Sequence, residues 1–452
     1  MKFRSLLAFL LAGSVMFSAC SKDDNGGDPV GGSEDVTLKS GDVISGNYSG
    51  NVTLEKGTYT LRGYVYIEDG GKITIPAGTV IKSDITRKGA LIIERGAQIM
   101  AEGTAAEPIV FTSGQETGKR KPGDWGGIIV LGKATTNRTT EPIIEGGVGS
   151  SYGGTDDNDN SGIIKYVRIE FAGIAAAPGS EINGLTLGGV GSGTTLEYIQ
   201  VAYANDDAFE FFGGTVNAKH LVAYATADDD FDFDFGYRGK IQYGVALRDP
   251  SFVDPADDAN GIECDNDGNG TGAQPFTKPV LSNFTFVGPN ADLTTAQRHN
   301  AGNRFRRNTS FVMNNSIMMG WVKAGLLVES NGAYEKFIAG GSEFKNNLVH
   351  AIAAPFKVGA DVTVANASAA AMQQVAGITP MTIEAIKLTD PFKLTAPNLL
   401  PAAGSPALAG AAFDGVLGSG FDKVAYKGAF GSNNWMAGWT NFNFTKTAEG
   451  TY

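Results

Sequence analysis

Residues 228–236 read Asp-Asp-Asp-Phe-Asp-Phe-Asp-Phe-Gly, an acidic turn followed by phenylalanines that alternate with carboxylates. Residues 205–213 read Asn-Asp-Asp-Ala-Phe-Glu-Phe-Phe-Gly, and residues 257–265 read Asp-Asp-Ala-Asn-Gly-Ile-Glu-Cys-Asp. Alternation with a period of two predicts a half-buried β-strand, and its return at intervals of twenty-odd residues is typical of a solenoid. Stacking of successive strands would place Phe209 over Phe231, and Phe211 over Phe233, inside a common core.

The same register would place the carboxylates of neighbouring strands in one outward column. Strands of a sheet lie about 4.8 Å apart, so these carboxylates would be close neighbours. Like charges at that spacing are destabilising unless a divalent cation, basic side chains or solvent and salt offset them. Both a metal site and a plain solvated face therefore remain open. The candidate acidic surface column comprises Asp206, Asp207, Glu210, Asp229, Asp230, Asp232, Asp234 and Glu263.

The composition favours many short strands joined by turns. The chain has 452 residues, of which 62 are glycine, and only 19% are charged. Its net charge of −12 argues against a nucleic-acid partner, because phosphate binding needs clustered lysine and arginine. The only two cysteines, Cys20 and Cys264, cannot form a disulfide framework. We expect Cys264 to be a small buried core residue.

The first residues have the pattern of an export signal. A basic start precedes a short apolar run, and Ser18-Ala19-Cys20 resembles a bacterial lipobox. Residues 1–19 are therefore predicted to be a lipoprotein signal peptide, with lipidation at Cys20 and anchoring in the outer membrane, facing the cell exterior. An ordinary secretory signal with a chance cysteine is the alternative. Residues 20–35 would comprise the lipidated cysteine and a flexible acidic tether.

The body divides into a repetitive part and a tail. Residues 66–73 and 92–99 are repeats about 26 residues apart. Further on, one strand type recurs, and its longer spacings would carry loops on a regular scaffold. Residues 36–363 are predicted to form a parallel β-helix, and residues 364–452 a short helical insertion and a segment that caps the open end. The recurring strand is anchored on Tyr166, Tyr198, His220, Tyr243, Asn283, Asn315 and Asn347.

Two loops resemble the first half of an EF-hand calcium loop. Residues 157–162 and 265–270 have oxygen-bearing side chains at relative positions 1, 3 and 5 and glycine at position 6. Position 12 is Arg168 in one loop and Phe276 in the other, where an EF-hand has glutamate. A hydrophilic turn without metal is the alternative, and no organic cofactor is expected. The candidate calcium ligands are Asp157, Asp159, Ser161, Asp265, Asp267 and Asn269.

Several segments resemble a family of β-helix surface lipoproteins of Bacteroidota. The acidic tether resembles the export signal of such lipoproteins. The resemblance spans roughly residues 50–452 and implies an all-β fold, a right-handed parallel β-helix, but it supplies no catalytic residues. The segments that carry it are residues 124–128, 209–216, 230–232, 306–311 and 428–430.

The leading functional hypothesis is a non-catalytic binding or adhesion role, with glycans or a surface protein as ligand and calcium as a structural ion. The alternative is a calcium-dependent polysaccharide lyase or glycoside hydrolase of pectate-lyase-like architecture. A hydrolase needs paired carboxylates, and a lyase needs a base near calcium. Candidate bases are Arg238, Lys240, Arg304, Arg306 and Arg307. Candidate aromatic platforms for sugar rings are Tyr152, Trp321, Tyr334, Trp435 and Trp439.

Overall fold

The computed structural model describes residues 31–444, except 178–179 and 293–297. The predicted signal peptide, Cys20 and most of the tether lie outside the described residues. Within them, no helix is both long enough and apolar enough to cross a bilayer.

The described chain is built mainly from short strands, with three α-helices near its C-terminal end. The strands before the long insertion are β1 (Val36–Leu38), β2 (Val43–Tyr48), β3 (Asn51–Leu54), β4 (Thr58–Ile67), β5 (Lys72–Pro76), β6 (Val80–Ser83), β7 (Leu91–Ile93), β8 (Gln98–Glu102), β9 (Ile109–Thr112) and β10 (Ile128–Leu131). The middle strands are β11 (Gly162–Glu170), β12 (Ala175–Ala177), β13 (Ser180–Glu181), β14 (Leu185–Gly188), β15 (Thr195–Ala202), β16 (Phe209–Phe212), β17 (Asn217–Tyr224), β18 (Phe231–Asp234), β19 (Lys240–Leu247) and β20 (Ile262–Cys264).

The remaining elements form the last coils and the tail. The strands are β21 (Val280–Ser282), β22 (Thr285–Val287), β23 (Ala301–Phe305), β24 (Val312–Asn314), β25 (Ile317–Trp321), β26 (Ala324–Val328), β27 (Leu348–Ala351), β28 (Phe356–Val358), β29 (Leu388–Asp390) and β30 (Asn398–Pro401). The α-helices are α1 (Asn331–Ile338), α2 (Ala369–Ala376) and α3 (Ile383–Ile386), and two 3-10 helices cover Pro406–Leu408 and Gly415–Gly418.

Twenty-six of the described strands belong to one continuous sheet that pairs in parallel, coil upon coil, as a right-handed parallel β-helix. The predicted fold class is therefore confirmed. We call the ladder β10–β14–β16–β18–β20–β23–β26–β28 the site sheet. On it, Phe209 pairs with Phe231 and Phe211 with Phe233, with ring centroids 5.2 and 5.0 Å apart. All four rings are fully buried, which confirms the predicted inward stack.

A column of left-handed residues bends the coil at the predicted anchors. Its first six members have φ between 49° and 66°. Asparagine tolerates this region, whereas a tyrosine or histidine there is uncommon and must be held by its packing. At the last coil Asn346 has this backbone conformation, so the anchor at Asn347 was wrong by one residue. The six are Tyr166, Tyr198, His220, Tyr243, Asn283 and Asn315.

The C-terminal end of the solenoid is covered by helices rather than by the tail. Helices α1 and α2 pack on each other, and Phe337 and Met372 are fully buried in the main core. The segment after β30, which was expected to cap this end, instead runs back along one flank. There Trp439 contacts Tyr166 and Tyr198 edge to face. Periodicity alone did not predict this path, because the tail has no repeat that would reveal its partners.

Most of the aromatic residues suggested as sugar platforms are core residues. Tyr152, Trp321, Tyr334 and Trp439 are buried. Trp435 is half-buried, and its ring stacks on Phe430 at a centroid distance of 5.1 Å. These five rings therefore contribute packing, and sugar contacts must be sought elsewhere.

Candidate divalent-cation site

A hydrogen-bonded ladder fixes the turn that precedes each strand of the site sheet. The backbone N–H of Asp207 donates to Asn183 Oδ1 at 3.2 Å, and that of Asp229 donates to Asp207 Oδ1 at 2.8 Å. The Asn260 side-chain amide donates to Asp229 Oδ1 at 2.9 Å. Two carboxylates thus occupy ladder positions where the coils on either side have asparagine. This geometry aligns their charges along the solenoid axis.

The next outward position of the site sheet forms a second column of carboxylates. Glu210 pairs with Asp232 and Asp232 with Glu263, as the sequence predicted, and Arg304 follows Glu263. The Asn183 amide donates to Glu210, and Arg304 Nη1 donates to Glu263 at 2.9 Å. Asp232 lies between Glu210 and Glu263, which these two contacts stabilise. Its buried Oδ1 atom has no hydrogen-bond partner in the described structure.

We define the acid cluster as the six carboxylates around these two columns. Asp207, Glu210 and Asp229 are 7%, 7% and 4% exposed, so the column expected on the surface lies largely out of solvent. The insertion before β11 contributes to this burial, because it packs Ile144 and Tyr152 against outward residues of the site sheet, among them Phe212. The cluster comprises Asp206, Asp207, Glu210, Asp228, Asp229 and Asp232.

Three candidates of the predicted column lie outside the cluster. Asp230 is fully buried at the corner of its coil, where its Oδ2 accepts from Arg248 Nε at 2.9 Å. Asp234 is half-buried and continues the outward face next to Phe212. Glu263 is 9% exposed and is neutralised by arginines. The remaining five belong to the acid cluster, which Asp228 completes.

The cluster contains two groups of carboxylate oxygens at ligand spacing. Oxygens of Asp206, Asp207 and Asp228 lie within 4.8 Å of one another, and so do oxygens of Asp207, Glu210 and Asp232. Calcium binds oxygen at about 2.3–2.6 Å, so two ligands of one ion lie at most about 5 Å apart. Either group is therefore compact enough for one divalent cation, and Asp207 belongs to both.

Burial makes the charged form of these groups unfavourable. It raises the pKa of Asp207, Glu210 and Asp232 well above the ordinary carboxyl value, and the neighbouring carboxylates raise it further. Burial likewise raises the pKa of Glu263 to about 8, although Arg304 and Arg306 act in the opposite direction. Such a cluster must hold protons or bind a cation near neutral pH.

The basic residues near the cluster are already paired. Arg304 Nε contacts Glu329 at 2.7 Å, Arg306 Nε contacts Asp265 at 3.0 Å, and Arg307 contacts Asp265 at 2.7 Å. Burial acts to lower the pKa of Arg306, but Glu263 and Asp265 outweigh it and raise that pKa. Arg304 and Arg306 therefore stay protonated.

The other two candidate bases bind elsewhere on the molecule. Arg238 Nη2 contacts Asp157 at 2.6 Å. Lys240 Nζ donates to the Ser419 carbonyl at 2.9 Å, on a different face of the solenoid. Neither side chain points to the acid cluster.

In the first EF-hand-like loop the protein's own donors bind the candidate ligands. Asp157 accepts from the backbone N–H of Thr135 at 3.0 Å in addition to its contact with Arg238. Ser161 Oγ donates to Asp159 Oδ2 at 3.1 Å. Burial raises the pKa of Asp159, which is 7% exposed. The loop is therefore held together without an ion.

In the second EF-hand-like loop the protein's own donors also bind the candidate ligands. Asp267 accepts from the backbone N–H of Asn269 at 2.9 Å and from Thr271 Oγ1 at 2.6 Å, which is a self-capped turn. Its first position, Asp265, is bound by Arg306 and Arg307. Neither loop is among the groups of three ligand carboxylates found in the described residues.

Sequence reasoning missed two contributors to the cluster. Asp228 precedes a ladder aspartate just as Asp206 does, so the repeat itself contained that signal. Asn183 carries no acidic motif, and only the register of its coil reveals that its amide reaches Glu210.

Comparison with known proteins is consistent with this architecture. The model of the pectate-lyase-like β-helix domain family matches residues 46–405. No curated protein matches the chain. Among solved structures, the crystal structure of pectate lyase Pel9A matches at 14% identity with a TM-score of 0.36, covering 85% of this chain and 88% of that one. Because the family model matches most of its length, the chain belongs to the pectate-lyase-like β-helix domain family.

Proposed function

We propose that the protein binds calcium in the acid cluster and captures glycans there, as a lipid-anchored protein of the outer membrane that faces the cell exterior. The observation that carries the proposal is the convergence of buried carboxylates from successive coils. The buried Oδ1 atoms of Asp228 and Asp232 have no partner in the described structure, although unpaired charges in such surroundings are costly. A cation in either group of carboxylates would compensate one of these two atoms, because Asp228 and Asp232 belong to different groups.

Calcium suits this donor set better than other common ions. It prefers oxygen ligands, tolerates irregular geometry and takes six to eight of them. Asp207, Glu210 and Asp232 would fill only part of that shell. Hydroxyl or carboxylate oxygens of a sugar could complete it, which links cation binding to glycan capture. The lipid anchor at Cys20 is inferred from the lipobox-like sequence alone.

An enzyme is the second candidate, either a glycoside hydrolase or a calcium-dependent polysaccharide lyase. Family membership supports the architecture of this candidate. Carboxylates within 4.8 Å of one another also resemble the acid and nucleophile pair of a retaining glycosidase. In such a pair only the acid has a raised pKa, whereas burial raises the pKa of both Asp207 and Glu210. The ion-paired arginines argue against the lyase, because a general base must be able to accept a proton.

Affinity gel electrophoresis with acidic and neutral polysaccharides tests the proposal. We expect calcium-dependent retardation of the protein, its loss in chelator, and no new reducing or unsaturated ends. Asp207→Asn should abolish the retardation and still fold, since asparagine occupies the same ladder position at residues 183 and 260. The matched control Glu107→Gln changes an exposed carboxylate and should behave like the wild type.

Two outcomes would contradict the binding proposal. Release of products would establish the enzymatic candidate in its place. Absence of both retardation and products would exclude glycans and point to a surface protein as the ligand.

A further inference from the structure

One outward column of the solenoid carries opposite charges in alternation. It lies on the ladder β5–β8–β11–β15–β17–β19–β21–β24, which we call the flank sheet. Adjacent strands lie about 4.8 Å apart, so the side chains of the column follow one another at that spacing. In order from β8 to β17 these residues, which we call the charge column, are Glu102, Lys165, Glu197 and Lys219.

The charge column remains accessible to a partner. Glu102 is exposed and forms no ion pair within the described residues. Lys165 Nζ lies 3.2 Å from Glu197 Oε2, and these two side chains are still 31% and 34% exposed. Lys219 Nζ contacts Asp422 Oδ1 at 2.7 Å, and its side chain is 29% exposed. Each charge therefore has room for a second partner of opposite sign.

A second outward column runs beside the charge column and becomes covered only at later strands. At β8 and β11 it consists of Met100 and Ile163, which are both half-buried. At β21 and β24 the same column consists of Val280 and Val312, which pack against Phe421 of the tail. The tail thus covers the flank sheet at these later strands, and it leaves free the strands that carry the charge column.

The order of charges in the column is complementary to its own reverse. A two-fold axis between β11 and β15, parallel to the strands, brings a second copy face to face with its coils in reversed order. Lys165 of each copy then faces Glu197 of the other copy. In the same arrangement Glu102 of each copy faces Lys219 of the other. Every charge of the column meets an opposite one, and no like charges meet.

We propose that the charge column binds a second copy of the chain in reversed orientation, and that this contact joins neighbouring cells. Two copies of net charge −12 repel each other in general, but this face carries equal numbers of both signs. Reversal places the first coils at opposite ends of the pair, so the lipid anchors predicted at Cys20 would lie in two different membranes. The contact uses a face other than the acid cluster and needs neither calcium nor glycan.

The size of the face sets the strength of the contact. Its four strands span about 14 Å along the solenoid, so the buried area falls below the roughly 1,200 Å² of stable complexes. We therefore expect the copies to dissociate in dilute solution and to associate when many of them are held on facing surfaces. Such a contact suits reversible adhesion.

The test measures clustering of lipid vesicles to which the protein is coupled through its N-terminus, in chelator and without glycan. Wild-type vesicles should cluster at low ionic strength and separate in about 1 M salt, which screens charges beyond about 3 Å. Lys165→Glu and Glu197→Lys should each weaken clustering at least about tenfold, because each turns ion pairs between copies into like-charge contacts. Vesicles carrying Lys165→Glu should nevertheless cluster with vesicles carrying Glu197→Lys, since the two altered columns are complementary.

The control Lys119→Glu makes the same change of charge in an exposed loop outside the flank sheet and should cluster like the wild type. Recovery in the mixed pair also shows that both variants fold. Wild-type vesicles that stay apart, or single variants that cluster undiminished, would overturn the inference. A mixed pair that stays apart while the wild type clusters would overturn it as well. Calcium-dependent retardation in glycan gels should be the same in all variants, so glycan capture is judged separately.

Discussion

Replacing Arg248 with methionine is expected to lower the free energy of unfolding by about 3–5 kcal/mol. Arg248 and Asp230 are both inside the solenoid with no exposed side-chain surface, and Nε lies 2.9 Å from Oδ2. Arg248 also donates to the carbonyls of Thr226 and Asn260. Burial raises the pKa of Asp230 to about 7 even with Arg248 beside it. Without Arg248 the carboxylate would have no compensating charge.

A double variant separates charge from packing in this pair. Asp230 stands at a coil corner where the neighbouring coils have Ala208 and Gly261. Asp230→Ala with Arg248→Met should therefore recover most of the lost stability, because buried ion pairs are often replaceable by apolar groups. Urea unfolding provides the measurement, with Lys56→Met at an exposed ion pair as the neutral control. A double variant no more stable than the single one would show that lost packing of Arg248, and not an unpaired charge, is the cause.

Without calcium, the protein is expected to lose about 2 kcal/mol of stability between pH 7 and pH 8.5. Folding raises the pKa of Asp207, Glu210, Asp232 and Glu263, mainly through burial. The contribution of such a group to stability is fully present at pH values below its pKa in the unfolded state. It is lost as the pH rises through its pKa in the folded state, which for Glu263 is about 8. The net release of one proton on unfolding costs about 1.36 kcal/mol per pH unit.

The three histidines do not contribute to the change in stability between pH 7 and pH 8.5. Burial lowers the pKa of all three, so each is neutral above pH 7 in the folded state and largely neutral when unfolded. Calcium should cancel the loss, because it binds the ionised carboxylates, and its stabilising effect should be greatest at pH 8.5.

Asp232→Asn is the sharpest variant for this prediction. It removes the central negative charge of the acid cluster, so the protein in chelator should become more stable at pH 8.5. The gain in unfolding free energy on adding calcium should shrink or vanish. Asp390→Asn changes an exposed carboxylate in β29 and should leave both quantities unchanged. Stability that rises from pH 7 to 8.5 in chelator would contradict the prediction. An equal gain in stability on adding calcium in Asp232→Asn and Asp390→Asn would also contradict it.

The repeat predicted a solenoid of stacked strands and the register of the two central columns, and the family resemblance implied the right-handed parallel β-helix. A period of two sets which side chains face inward, and its recurrence aligns Phe209 with Phe231 and Glu210 with Asp232. Burial of the carboxylates was not predictable, because it depends on an insertion that has no periodicity. Asp230 was misplaced for a different reason: simple alternation puts it outward with Asp232, whereas the corner of the coil turns it into the core.

The two EF-hand-like loops show that a local sequence pattern does not reveal long-range contacts. Residues 157–162 and 265–270 have the spacing of oxygen ligands, but the same oxygens can accept from nearby N–H and O–H groups or from arginines. Arg238 and Arg306 are far from these loops in sequence, so their ion pairs with Asp157 and Asp265 appear only in the folded chain. Long-range contacts thus decide whether such a loop has free ligands.

The most direct test of the proposed cation site is anomalous X-ray scattering from crystals grown in saturating calcium at pH 8. The account predicts a calcium peak about 2.3–2.6 Å from carboxylate oxygens of Asp207, shared with Glu210 and Asp232 or with Asp206 and Asp228. A crystal with no peak in the acid cluster, or with peaks only at the loops that begin at Asp157 and Asp265, would contradict it.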